Sequence, residues 1–442
     1  MADLLGDAEL FHRGKPAMRL RLPQGRKLYR LLALLVLLGG LAFWGTPLLL
    51  VQYRLGKGRS ALEARDAESA LGYLSQAESL SPDHAETQFL LSRTYRRLGR
   101  LDLVRKHLKR AWDLGYDVEK LKREQWLALA QAGQMSQAEP HLKQLLGTPG
   151  EDGAEICEAY VNGYFRVFRF AQAFGLLDAW QADYPEDEQP HVFRGEFAKH
   201  RGNDADAAKY YQKAISLRPS RSDVRLKLAI TLNNLQRYDE AVEHFRKLLQ
   251  YNANPSADLM AGWSDCLLNQ GKTDEARNVL LRLLRQEPNH FAAQVSMGRL
   301  ELNSGRTDSA VTWLKRAVDQ KPYDSSARYA FATAIHAAGR KDEAKEHFKF
   351  FTDARKALTR AGTLMESAIE RPKDIEISYQ LGTILLRYDS PDDGVAWLEN
   401  TLELNPNHRL ARQALVEYYE KQGNKKAADL HRERLPDDKS QE

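Results

Sequence analysis

Residues 188–221 read EQPHVFRGEFAKHRGNDADAAKYYQKAISLRPSR, and this stretch decides the fold. Counted from Glu188 as position 1, it places Gly195, Gly202, Ala207, Tyr211, Ala214 and Pro219 at positions 8, 15, 20, 24, 27 and 32. Ala207, Tyr211 and Ala214 are spaced by three and four, so they lie on one helix face. Gly202 punctuates the pattern and Pro219 ends it. The spacing predicts two antiparallel helices that approach closely at small residues, with the Tyr211 ring filling the gap between them.

The same punctuation recurs along the chain. Pro185, Pro219, Pro288, Pro322, Pro372 and Pro406 each follow a predicted second helix; three neighbouring pairs are 34 residues apart, and Pro219 to Pro288 is 69, about two repeats. From Glu188, five units start near Glu188, Ser222, Ala257, Phe291 and Ser325. They carry Ala207, Ala241, Ala276, Ala310 and Ala344 at position 20, and Tyr211, Phe245, Leu280, Leu314 and Phe348 at position 24. Small and large residues alternating at one phase are what interdigitating helix pairs require. Asp204, Asp239, Asp274, Asp308 and Asp342 open the second helices, where a carboxylate suits the helix dipole. This pattern resembles the tetratricopeptide repeat (TPR) family, whose unit is a helix–turn–helix of about 34 residues. The resemblance covers about residues 51–435 and implies an all-α, right-handed superhelical TPR solenoid of about eleven helix-pair units.

The phase divides the chain into a membrane-proximal set at 51–187, the regular block at 188–355 and C-terminal units with a cap at 375–435. The glycine- and proline-containing stretch 147–153 is expected to be a soft joint. Between Ala344 and Ala368 the apolar spacing continues without a break, which predicts one long helix or insertion within 342–372, bent at Gly362. Residues 436–442 read as a disordered tail.

The net charge of +5 resides in residues 1–54, which hold eight Lys/Arg and three Asp/Glu; the remainder is neutral. Residues 1–30 are polar and basic, and residues 31–52 then run without a charge. Twenty-two helical residues reach about 33 Å, enough to cross a hydrocarbon core of about 30 Å. Leu31–Tyr53 is therefore expected to be one uncleaved transmembrane helix preceding the repeats. Basic residues are denser before it than after it, which predicts a cytoplasmic N-terminus and repeats outside, in the periplasm if the cell is bacterial. Charge confined to a membrane flank argues against a nucleic-acid partner.

No catalytic motif, cofactor fingerprint or metal-ligand spacing is present, and Cys157 and Cys266 stand alone as buried thiols. The chain is expected not to be an enzyme and to bind no cofactor. Binding remains. The resemblance implies a concave groove lined by the first helix of each unit, and at its groove positions stand Asn162, Phe193, Glu196, His200, Asn234, Asn269, Arg299, Asn303, Tyr329 and His336. Such a polar groove with aromatic points suits a peptide or an extended partner segment. Asn234, Asn269 and Asn303 share position 13; they form either a ladder for a peptide backbone or a set of helix-end residues serving loose carbonyls. No unit carries the Lys/Asn and Lys/Arg set with which some TPR proteins clamp a C-terminal carboxylate. The expected role is a membrane-anchored scaffold for protein–protein interactions. The alternatives are a subunit of an envelope export or polysaccharide-assembly complex, or a receptor for translocating polypeptides.

Overall fold

The computed structural model describes residues 49–251 and 254–435. Among these residues all regular structure is helical, and they fall into two compact units, with the break between Gln125 and Trp126. Of the predicted membrane segment only residues 49–53 are described, and residues 436–442 lie outside the described part. Among the described residues no helix is long and apolar enough to cross a membrane.

The first unit holds α1 (49–63), α2 (Ala67–Leu80), α3 (Ala85–Arg97), α4 (Leu101–Asp113) and the start of α5 (Val118–Gln131). Its core joins Val51 and Leu55 to Ala70, Leu74, Ala77, Phe89, Leu91 and Ala111. A Cβ at Gly58 would lie 2.7 Å from the Leu74 side chain, so glycine sets the distance between α1 and α2. Arg96 and Glu124, both buried, pair at 2.6 Å, and Arg93 joins the same carboxylate at 3.1 Å.

The second unit continues with α6 (Met135–Gly147), α7 (Gly153–Arg166), α8 (Phe170–Asp183), α9 (Gln189–His200), α10 (Asp204–Leu217), α11 (Ser222–Asn234) and α12 (Tyr238–Tyr251). Then come α13 (Ala257–Asn269), α14 (Thr273–Gln286), α15 (Phe291–Asn303), α16 (Thr307–Gln320), α17 (Ser325–Ala337) and α18 (Lys341–Glu370). The last are α19 (Ile375–Tyr388), α20 (Pro391–Leu404), α21 (Arg409–Lys421) and α22 (Lys425–Arg432). Consecutive helices pair as the quoted stretch predicts. Ala207, Tyr211 and Ala214 are buried, and a Cβ at Gly195 would lie 2.6 Å from the Tyr211 ring. Gly298 stands in the same relation to Leu314 and Gly382 to Leu398, at 2.3 and 2.7 Å.

The predicted aspartates sit in the first turns of their helices, as expected, and Asn203 caps α10, accepting from the Asp206 N–H at 3.1 Å. Several first helices are capped by imidazole instead. The Nδ1 atoms of His290 and His408 accept from the Ala293 and Ala411 N–H groups at 3.3 and 3.1 Å.

In the stretch 147–153, Gly150–Asp152 form a 3-10 turn and α7 begins at Gly153; the division into two compact units lies within α5. Gly153 is needed because a Cβ there would lie 1.8 Å from the Tyr184 hydroxyl. Gly362, inside the unbroken 30-residue α18, marks a close approach: a Cβ would lie 2.8 Å from the Arg201 carbonyl oxygen. Arg201 also pairs with Glu366 at 2.5 Å. The long helix is thereby seated on the end of α9.

Candidate functional site

The turn at position 15 holds a positive φ in all but one of the units. Seven units place glycine there: Gly99, Gly133, Gly202, Gly271, Gly305, Gly339 and Gly423, with φ between 70° and 83°. Phe168 occupies the corresponding place between α7 and α8 and holds φ at 57°. A bulky side chain is rare in this region and costs about 1–2 kcal/mol there. The ring it carries lies against Trp397 of α20, with centroids 3.7 Å apart and planes at 19°.

Around this contact the second unit forms an aromatic cluster. Phe165 of α7 meets Phe170, Phe174, Phe193 and Phe197 with centroids 5.7–6.1 Å apart. Phe170 meets Phe197 edge-on at 5.2 Å and Trp397 at 5.9 Å. The tilted and edge-to-face geometries are those that aromatic quadrupoles favour. Within the cluster lies a cavity of about 200 Å³, floored by these rings together with Met365 of α18 and Leu385 of α19. Helices from the beginning and the end of this unit therefore share one pocket.

The floor is apolar and the rim is polar. Phe193, Phe197, Met365, Leu385 and Trp397 are buried, whereas His200, Asp389 and Asp393 are exposed. Asn162 and Glu196 complete the rim; the Asn162 amide donates to the Glu158 carbonyl at 2.9 Å. Glu196 pairs with Lys227 of α11. Asp389 replaces the turn glycine between α19 and α20, with φ −143°. Partial desolvation pushes its carboxyl above the ordinary aspartate range; His200 counters this, and Asp393 and Asp324 add to it. Among the described residues neither Asp389 nor Asp393 has an ion-pair partner.

Asn162, Phe193, Glu196 and His200 are thus four predicted groove residues that meet in one pocket. Asn269 and Arg299 meet elsewhere. The Asn269 amide donates to Asn233 Oδ1 at 3.1 Å, and Asn233 donates to Asp265 at 3.0 Å. Arg299 donates to Asp265 at 2.5 Å and to Asn269 Oδ1 at 3.0 Å. This network runs across α11, α13 and α15. Asn234 and Asn303, which end their helices, are exposed and outside it. Tyr329 is exposed and lies against Phe348 and Phe351, and His336 meets Phe348 edge-on with centroids 6.4 Å apart.

Sequence reading missed Phe168, Phe170, Phe197, Asp389, Asp393 and Trp397. Two of these were marked: Phe168 and Asp389 stand where the turn calls for glycine. Among the described residues no cluster of three His, Cys, Asp or Glu suited to a metal is present, and both cysteines are free and buried. Burial pushes the Cys157 and Cys266 thiols up, to about 12 and about 11, so neither is a ready nucleophile.

A tetratricopeptide repeat family model matches residues 61–122, 200–257 and 235–300. No curated protein matches in sequence. Solved structures similar to this chain include PilW, a type IV pilus biogenesis factor (18% identity, 53% of this chain and 100% of that chain, TM-score 0.39). YrrB, a TPR protein with an unusual peptide-binding site, matches at 16% identity over 54% of this chain and 96% of its own, with TM-score 0.28. Human IFIT1, solved as a dimer with m7Gppp-AAAA, matches at 15% identity over 79% and 89%, with TM-score 0.41. At these values the likenesses say nothing of what this chain binds.

Proposed function

We propose that this chain, a protein built of tetratricopeptide repeats, is a membrane-anchored scaffold that holds an extended segment of a partner protein. One observation carries the reading: four groove residues, Asn162, Phe193, Glu196 and His200, converge on an open cavity with an aromatic floor. An apolar cavity of about 150 Å³ is enough to take up benzene. A cavity of about 200 Å³ therefore has room for one large side chain and none for a helix or a folded domain. An extended segment fits this geometry, since it buries one anchor residue and leaves its backbone at a polar rim. The uncharged run 31–52 supplies the anchor, and the basic residues before it favour a cytoplasmic N-terminus.

The binding arm is tested by selecting displayed random peptides against the full chain in lipid nanodiscs. The enriched peptides are expected to share an apolar anchor residue and to bind Phe165→Ala at least about tenfold more weakly at unchanged helix content. No enrichment, or undiminished binding to Phe165→Ala, would contradict it. The membrane arm is tested by adding protease outside cells stripped of any outer barrier. Digestion of the repeats is expected, and their survival until the membrane is breached would sink the orientation.

A further inference from the structure

The peptide reading leaves open what kind of anchor the cavity selects, and its rim answers that. The titratable lining groups are the carboxyls of Glu196, Asp389 and Asp393 and the imidazole of His200, with neither lysine nor arginine among the described lining residues. Two neighbouring basic groups are already engaged, Lys227 by Glu196 and Arg201 by Glu366. Asp389 and Asp393 are left facing the opening without a cation. Below them lie the faces and edges of Phe165, Phe168, Phe193 and Trp397. Carboxylates above a ring-lined cavity attract a positive charge, and ring faces stabilise it further. An anion would meet two like charges and a desolvated floor.

A second observation, independent of the charges, concerns the turns. Among the described residues ten units hold a positive φ at position 15: seven place glycine there, two place Arg65 and Gln236, and only Phe168 sets a large apolar ring there. Asp389 also departs from glycine at the same position of its own unit. Of these departures, Phe168 and Asp389 line the same cavity.

Resting on the peptide-binding reading, we propose that the cavity selects a partner segment in which an aromatic side chain stands directly beside a lysine or arginine. The ring enters the phenylalanine-lined floor, and the cation meets Asp389 and Asp393 at the rim. The elevated carboxyl of Asp389 fits this arrangement, because a bound cation supplies the counter-charge that the free site lacks.

The test uses small probes and so stands apart from any peptide selection. Phenethylammonium, 3-phenylpropionate and butylammonium are titrated into the full chain in nanodiscs at low ionic strength and followed by ligand-observed NMR. Phenethylammonium is expected to bind at least tenfold more tightly than either of the others. In the double variant Asp389→Asn/Asp393→Asn the preference for cation over anion should fall to less than threefold while the ring still binds. Phe168→Gly, which places the residue favoured by this turn, should weaken both ring-bearing probes. Equal binding of phenylpropionate, equal binding of butylammonium, a cation preference that survives the double variant, or no binding of phenethylammonium would each overturn the proposal. If phenethylammonium binds but peptide selection enriches nothing, the peptide reading fails and the cation-selective cavity stands.

Discussion

At the scale of the residue, the turn at position 15 separates packing from function. Gln236 holds φ at 61° in that turn and is exposed. Gln236→Gly should therefore raise stability by about 1 kcal/mol, read by urea unfolding, since only backbone strain is removed. Phe168→Gly removes the same strain but also the ring stacked on Trp397. It should give no such gain; a gain equal to that of Gln236→Gly would mean the ring contributes nothing. Arg221 offers a second residue-scale test. It is buried, pairs with the buried Glu188 and reaches Asp223 at 2.8 Å. Arg221→Leu leaves the Glu188 carboxylate buried, with Arg218 at 3.5 Å beside it. The expected loss is about 3 kcal/mol, and Glu188→Gln in the same chain should recover part of it. Additive losses would contradict the pairing.

At the scale of the element, glycine fixes how closely helices lie. Gly298→Ala drives a Cβ into Leu314, a side chain that has some freedom, and should cost about 1–3 kcal/mol. Gly362→Ala meets the carbonyl oxygen of Arg201, which cannot yield without moving α9. It should cost a similar amount and in addition weaken phenethylammonium binding, because Met365 lies on the same helix. Loss of stability with undiminished probe binding would show that α18 does not set the pocket. The pairing of helices was readable from sequence because it rests on small and large residues at fixed spacing, as Gly195 and Tyr211 illustrate. The role of Gly362 was not. Its neighbour Arg201 lies more than 150 residues away, and a glycine inside a helix reads equally as a bend or as a contact.

At the scale of the whole molecule, histidine burial sets the response to acid. Burial lowers the proton affinity of His191, reinforced by Lys213 and Arg194, and burial also lowers that of His107 despite Glu78. The unfolded chain takes up protons in the ordinary histidine range while these rings still refuse them. Stability is thus full above that range and declines as pH falls through it. The Asp389 carboxyl works the opposite way, favouring the folded state once protonated. A lower Tm at pH 5.5 than at pH 7, with a smaller drop in His191→Gln, is expected; a flat or rising Tm would contradict it. The repeat array could be phased from sequence because each unit obeys local rules. The pocket could not be read this way. It is made where Phe168 meets Trp397, well over two hundred residues on, and no local pattern encodes that meeting.

The central claim is that one cavity, shared by α7–α9 and α18–α20, holds the partner segment. The most direct measurement is competition: peptides enriched on the full chain are challenged with phenethylammonium and with 3-phenylpropionate. The account predicts that phenethylammonium displaces them in wild type, that phenylpropionate does so at least tenfold less well, and that the difference collapses in Asp389→Asn/Asp393→Asn. Peptides that stay bound while phenethylammonium fills the cavity would place the partner site elsewhere and contradict the account.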